Sequence, residues 1–190
     1  IRDFAALKTV IYNFEPDYVF HLAAQSLVTE SFVNPLKTFD TNVIGTLNIL
    51  ETLRTIKKPC VVVLVTSDKC YKNVEWIWGY RENDQLGGSD PYSSSKAATE
   101  LVISSYLDSF FPKNGLIRIG IGRAGNVIGG GDWAQNRIVP DCFRAWQNGN
   151  ELIIRSPNST RPWQHVLEPL SGYLSLSLAL SEDSKLHGEP

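Results

Sequence analysis

The chain has 190 residues, 43% of them hydrophobic and 20% charged, a balance that excludes disordered and fibrous classes. A net charge of −2, with lysines and arginines scattered along the chain, leaves no electrostatic footprint for nucleic acid or an anionic membrane. Cys60, Cys70 and Cys142 are odd in number and far apart, and the three histidines lack ligand spacing. This usage points to a reduced, cytoplasmic setting and away from a disulfide framework or a metal site.

In chain order, Phe4, Leu7, Val10, Ile11 and Phe14 follow helical spacing until Pro16-Asp17 stops them. Residues 18–23 form a short apolar run, as a buried parallel strand does. Asn34-Pro35 opens a helix expected over 34–56, with Leu36, Phe39, Val43, Leu47, Leu50 and Leu53 as its apolar stripe. Residues 60–66, β-branched and unbroken, make the clearest strand. A long aromatic loop over 71–90 leads to Pro91, where a helix carrying Tyr92 and Lys96 begins and runs to about Phe111. A strand over 116–122 enters the glycine-rich segment 125–131, read as a turn. Beyond it are expected a helix near 136–147, a short strand over 151–155 and a helix over 168–180. Strands and helices that alternate at this length predict an α/β fold, a doubly wound parallel sheet with helices on both faces.

Three places carry chemistry. Tyr92 and Lys96 are four residues apart on one helix, so both side chains share a face and the ammonium can sit near the phenol. A nearby positive charge favours phenolate, which makes Tyr92 a general base for a hydroxyl. Chance supplies roughly 0.3 such pairs in a chain of this composition, so the pair needs context. That context is Ser67, Asp68 and Lys69, directly after the 60–66 strand, where open α/β sheets bind ligands. Small residues Ala23 and Ala24 follow the first strand and allow a flat ligand close to the backbone, whereas His21 reads as a core histidine. The glycines of 125–131 can turn backbone N–H groups toward an anion or can simply make a turn. Arg161 can clamp a diphosphate bidentately or lie free on the surface.

Taken in order, the segments 20–26 (Phe-His-Leu-Ala-Ala-Gln-Ser), 41–46 (Thr-Asn-Val-Ile-Gly-Thr), 66–71 (Thr-Ser-Asp-Lys-Cys-Tyr), 92–96 (Tyr-Ser-Ser-Ser-Lys), 123–126 (Arg-Ala-Gly-Asn) and 161–163 (Arg-Pro-Trp) resemble the extended short-chain dehydrogenase/reductase family. Within it, the chain resembles the nucleotide-sugar 4,6-dehydratases. Most of these carry Asp-Glu where this chain has Asp68-Lys69. The lysine, with Trp76 to Arg81 and Arg161 to Leu170, agrees with the CDP-glucose branch. The resemblance implies a Rossmann-like domain over 1–131 that is partial, with its first strands missing. Its glycine-rich phosphate loop is expected upstream of Ile1, and Ile1-Arg2-Asp3 looks like the tail of the family's adenine-side segment. An incomplete, mostly substrate-binding region is expected over 132–190. The absence of methionine and the ends of the chain also read as a fragment of a longer protein.

The resemblance further implies NAD as cofactor, with contacts at Ala23, Ala24, Gln25, Tyr92, Lys96, Ala124 and Val127. Asn126 and Arg161, and more weakly Arg137, are implied to hold the substrate phosphates. Tyr92 would take the 4-hydroxyl proton, Lys96 hold the nicotinamide ribose, Ser67 bond the same hydroxyl and Asp68 protonate the departing 6-hydroxyl. Lys69 would act as base at C5 or as a cation stabilising the enolate. A homodimer through helices 34–56 and 91–111 is implied as well. Two other readings stay open: an epimerase, against which Asp68 argues, or a dehydratase for dTDP-, UDP- or GDP-sugars on the same scaffold, and a truncated, non-catalytic chain that serves as a packing or dimerising module.

Overall fold

The computed structural model describes residues 1–189. It divides into two compact units, Ile1–Ala124 with Gly172–Pro190, and Gly125–Ser171. The division falls at Gly125 rather than 132, and the chain re-enters the first unit at Gly172.

The first unit is built on three parallel strands in the order β1 (Tyr18–His21), β2 (Cys60–Val65) and β3 (Ile117–Gly122). Side chains alternate across a strand, and here the alternation separates two faces. Cys60, Val62 and Leu64 of β2 join Ile117, Ile119 and Ile121 of β3 in one core. That core is closed by Ile11 of α1 (Phe4–Phe14), by Ile49, Leu50 and Leu53 of α4 (Gly45–Leu53), and by Ile103 of α5 (Pro91–Phe110). The opposite face is covered from Gly172 onward by α7 (Leu167–Glu182). Gly120 makes this possible, because a Cβ there would lie 2.7 Å from Leu180 Cδ1. Helices therefore lie on both faces of a parallel sheet, as the alternation of elements predicts.

The helix expected over 34–56 is instead three pieces: α3 (Pro35–Phe39), a π-helical turn (Asp40–Ile44) and α4. Its apolar stripe is only half buried in fact, with Leu50 and Leu53 at 0% exposure and Leu36 at 83%. The side chains turned inward at its start are Thr38, Asn42 and Thr46, which are buried. A further short helix, α2 (Val28–Val33), precedes it and was not expected.

The second unit contains β4 (Asn126–Ile128), α6 (Ile138–Gln147) and β5 (Trp163–His165). β4 and β5 pair in parallel, with Asn126 opposite Trp163. This corrects two expectations. The glycine-rich segment holds a strand, and the strand expected over 151–155 is absent, with Ile153 at 85% exposure and its partner role taken by 163–165. Gly125 serves close packing here, since a Cβ would meet Pro162 Cγ at 2.9 Å. Among the described residues no helix is long and apolar enough to cross a membrane.

Candidate active site

The carboxyl end of β2 is where the functional side chains gather. The ladder with β3 continues past both strand ends, through Thr66 N–H to Gly122 O (2.9 Å) and Asp68 N–H to Ala124 O (3.1 Å). Ser67 then turns the chain into a single 3-10 turn (Asp68–Cys70), its Oγ accepting Lys69 N–H at 3.2 Å. The same hydroxyl donates to Asp68 Oδ1 at 3.0 Å, and Lys69 Nζ lies 3.8 Å from that carboxylate oxygen. Cys70 anchors the turn in the interior at 0% exposure, and burial pushes its thiol up to about 12. Acid, cation and hydroxyl are thus fixed side by side at the sheet edge.

Helix α5 packs against this turn. Its start is set by Pro91 at the first helical position and by Asp90, whose carboxylate accepts Ser93 N–H (2.9 Å) and Ser93 Oγ–H (2.6 Å). Capping there places Tyr92 in the first turn and Lys96 one turn on, both buried. Lys96 Nζ donates to Val65 O, the last carbonyl of β2, at 3.5 Å. Burial lowers its pKa to about 8, with the Glu100 carboxylate opposing the shift. An ammonium carries three donors, so one long bond to a carbonyl leaves capacity for ligand hydroxyls. His21, at the end of β1, is buried against Thr46 Oγ1 (3.0 Å), and burial, with Lys96 next, lowers its pKa to about 4. It is a neutral core histidine at pH 7.

Two polar constellations form that the sequence pattern assigns no role. Asn42, inside the π-helical turn, accepts Gln25 N–H at Oδ1 (2.8 Å) and donates from Nδ2 to Gln25 O (3.1 Å) and Ser95 Oγ (2.8 Å). It copies a backbone partner for the segment after β1 and ties that segment to α5. π-turns of this kind cluster at functional sites. The signal for it is polar: Thr38, Asn42 and Thr46 recur every four residues on the buried side of this helix, beside the more conspicuous apolar stripe. The second constellation is the buried pair of Glu100 and Arg123, 23 positions apart.

Of the expected cofactor contacts, Ala23, Ala24, Gln25, Tyr92, Lys96 and Ala124 all belong to the first unit. Ala23 is exposed beyond β1, so a flat ring can approach the backbone there. The side-chain amide of Gln25 is engaged by Thr38 Oγ1, Leu27 O and Leu27 N–H, which leaves its backbone as the part a ligand meets. Val127, Asn126, Arg137 and Arg161 lie in the second unit. Asn126 Oδ1 is buried without a hydrogen-bond partner among the described residues. Arg161 is exposed and bonds the adjacent Thr160 carbonyl at 2.7 Å. Arg137, at the start of α6, pairs with Asp132 at 2.7 Å.

A parallel sheet with a Tyr–Lys helix and a Ser-Asp-Lys turn at its carboxyl edge defines a Rossmann-type α/β scaffold. The family model described as "GDP-mannose 4,6 dehydratase" matches residues 1–176, and the chain belongs to that family of nucleotide-sugar-modifying proteins. It is 53% identical, over 95% of its length, to CDP-glucose 4,6-dehydratase of Salmonella typhimurium, of which it covers 51%. Among solved structures it is similar to an epimerase from Methanothermobacter thermautotrophicus (TM-score 0.82, 26% identity, 99% of this chain and 54% of that one). A dTDP-glucose 4,6-dehydratase from Streptomyces venezuelae, solved with NAD bound, shares the fold at TM-score 0.80 and 23% identity, over 99% of this chain and 54% of that one. The chain thus spans about half the length of the relatives it matches.

Proposed function

We propose that the full-length protein is a nucleotide-sugar 4,6-dehydratase that converts CDP-glucose to CDP-4-keto-6-deoxyglucose with NAD. The observation that carries this reading is the Asp68-Lys69 pair, held by Ser67 at the end of β2 and packed against the helix of Tyr92 and Lys96. An epimerase has no water to expel and no use for an acid at Asp68. The identity to a CDP-glucose 4,6-dehydratase supports the same choice of reaction and nucleotide.

The residues fit a nicotinamide cofactor: a buried ammonium with spare donors at the strand end, and small residues at the end of β1. Bound NAD would accept hydride from sugar C4 and return it at C6, with a proton added back at C5 to complete the 6-deoxy sugar. Tyr92 takes the proton from the 4-hydroxyl, and Ser67 orients that oxygen. Lys96, as the cation beside Tyr92, favours phenolate and holds the ribose hydroxyls. The 4-ketone so formed acidifies C5–H. Asp68 protonates the leaving 6-hydroxyl, and the adjacent Lys69 acts at C5 as base or as enolate stabiliser. A Lys69→Met variant with unchanged C5 solvent exchange and turnover would remove Lys69 from both roles.

Asn126 and Arg161 are the proposed contacts of the substrate diphosphate, with Arg137 third because Asp132 already engages it. A homodimer through 34–56 and 91–111 is proposed on the exposure of Leu36, Ile44, Leu101 and Phe110 along those helices. A cytoplasmic location is proposed with it, on the odd number and wide spacing of the three cysteines in the sequence. The test is incubation of the full-length protein and NAD with CDP-, UDP- and dTDP-glucose. A keto-sugar lighter by one water is expected from CDP-glucose. Product from dTDP-glucose alone would overturn the nucleotide, and an isomer of unchanged mass would make the protein an epimerase, the activity of one structural neighbour.

A further inference from the structure

We infer that the buried Glu100–Arg123 ion pair is a positioning clamp that sets the Ser67–Lys69 turn against the Tyr92–Lys96 face of α5, and so governs elimination of water rather than oxidation at C4. The second half of this statement rests on the dehydratase reading above; the first half does not.

Glu100 and Arg123 are only 2% and 12% exposed at their side chains. A buried ion pair is poor evidence of stability, because well-packed apolar residues of the same volume often serve as well or better. Its bonding pattern supplies another account. The guanidinium fork meets the carboxylate at both oxygens, Nε to Oε1 at 3.0 Å and Nη2 to Oε2 at 2.9 Å. Its remaining arm, Nη1, donates to Tyr71 OH at 2.9 Å and to Glu82 O at 2.7 Å. Thr66 Oγ1 completes the set by donating to Glu100 Oε1. Thr66 and Tyr71 are therefore gripped by one pair, and the residues between them are Ser67, Asp68, Lys69 and Cys70. Glu82 extends the grip into the aromatic loop, where Tyr71 stacks on Tyr80 at 5.4 Å.

The other end of the clamp lies on the catalytic helix. Tyr92, Lys96 and Glu100 follow one another at intervals of four, on one face of α5. Tyr92 and Lys96 are held by the helix itself and by its packing on β2. The turn carrying Asp68 and Lys69 has a shorter frame: Asp68 N–H to Ala124 O and buried Cys70 hold its backbone, but it is one 3-10 turn about one-third exposed at its acid and cation, so the clamp is a larger share of what fixes it. Loosening the clamp would thus displace Asp68 and Lys69 while sparing Tyr92. Glu100 and Arg123 touch no reacting atom; they are positioning residues.

Arg123→Lys in the full-length protein is the primary test, since it keeps the charge beside Glu100 but cannot span Glu100, Tyr71 and Glu82 together. Thr66→Val, which removes one bond without unpairing a buried charge, is the second variant should the first not fold. Hydrogen exchange is expected to rise in 66–86 and to stay unchanged in 91–105. Keto-sugar formation should slow about 10–100-fold, the cost of a misplaced catalytic group, with KM nearly constant. C5-deuterated substrate should then show a larger isotope effect than in wild type, and C4-deuterated substrate a smaller one. Unchanged exchange in 66–86, or isotope effects that move together, would overturn the clamp. A wild-type protein inactive on every nucleotide sugar would instead sink the dehydratase reading, while the exchange comparison still decides the clamp.

Discussion

The two units treat polar groups in opposite ways. In the first, Thr38, Asn42, Thr46, Ser95, Thr99 and Glu100 are buried behind the candidate site. The partners of these groups come from distant elements: Asn42 to Gln25 and Ser95, Thr99 to the Asn42 carbonyl, Glu100 to Arg123. In the second, from Gly125 to Ser171, the buried residues are Pro140 and Pro169. Its ion pairs, Arg137–Asp132 and Arg144–Asp141, are each roughly one-third exposed on both partners. Buried, fully paired polar groups fix geometry, because any shift leaves a donor or acceptor without water. Exposed pairs fix little. The first unit is thus preorganised by its own residues, while the second offers Arg161 and Asn126 on a lightly tethered frame.

Four substitutions in the full-length protein would break or sharpen that contrast. Tyr92→Phe should lower kcat by about 10²–10⁴-fold, as loss of a general base does, with a melting temperature near that of wild type. Comparable activity in the variant would move the chemistry away from α5. Asn42→Ala leaves the amide and carbonyl of Gln25 and the Ser95 hydroxyl short of a partner, at a cost of about 2–4 kcal/mol, to be read from urea unfolding. A loss below about 0.5 kcal/mol, the size of an ordinary surface change, would mean that the buried polar seam holds nothing in place.

Lys96→Met tests the same seam with the opposite sign. Lys96 has a native pKa of about 8 against 10.5 unfolded, so below pH 8 the native state carries a buried charge that the unfolded chain holds freely in water. Between pH 8 and 10.5 the unfolded state binds more protons, and this group's contribution to stability rises with pH. Removing the lysine should therefore stabilise the fold at pH 7 by about 1–3 kcal/mol while abolishing turnover. The variant should also lack the rise above pH 8. Unfolding curves at pH 7 and pH 9.5 decide it, and a destabilised Met variant would sink the argument. Smallest of all, Asp132→Ala in the second unit should change stability by less than about 1 kcal/mol. A larger loss by calorimetry would show that the exposed pairs there bear weight after all.

The same contrast explains what could be read from the sequence. β2 was legible because a β-branched run with buried residues on both faces leaves no alternative, and Ser67, Asp68 and Lys69 follow from where that run ends. α5 was legible from Pro91 and the Asp90 cap. The second unit was not. β4 and β5 are three residues each, too short for any period, and their pairing depends on a glycine at 125 fitting under Pro162. Ile153 and Ile154 suggested a strand and lie exposed instead. Asn42 and the Glu100–Arg123 pair were hidden for a different reason. Their partners are set by the tertiary fold, and the four-residue recurrence of Thr38, Asn42 and Thr46 marks an inward face without saying what it meets.

The π-helical turn at Asp40–Ile44 has a consequence for how this helix can be altered. A turn of this kind holds one residue more than the α-helical turn it interrupts, and absorbs it by winding less per residue. Five π-helical residues turn the chain through about the same angle as four α-helical ones, so deleting one residue within it would leave α3 and α4 close to their present phase. Leu50 and Leu53 would keep their places in the core, and the loss would fall on the bulge itself, where Asn42 reaches Gln25 and Ser95. The extra residue thus lets a side chain of the site be aimed separately from the frame that the core holds.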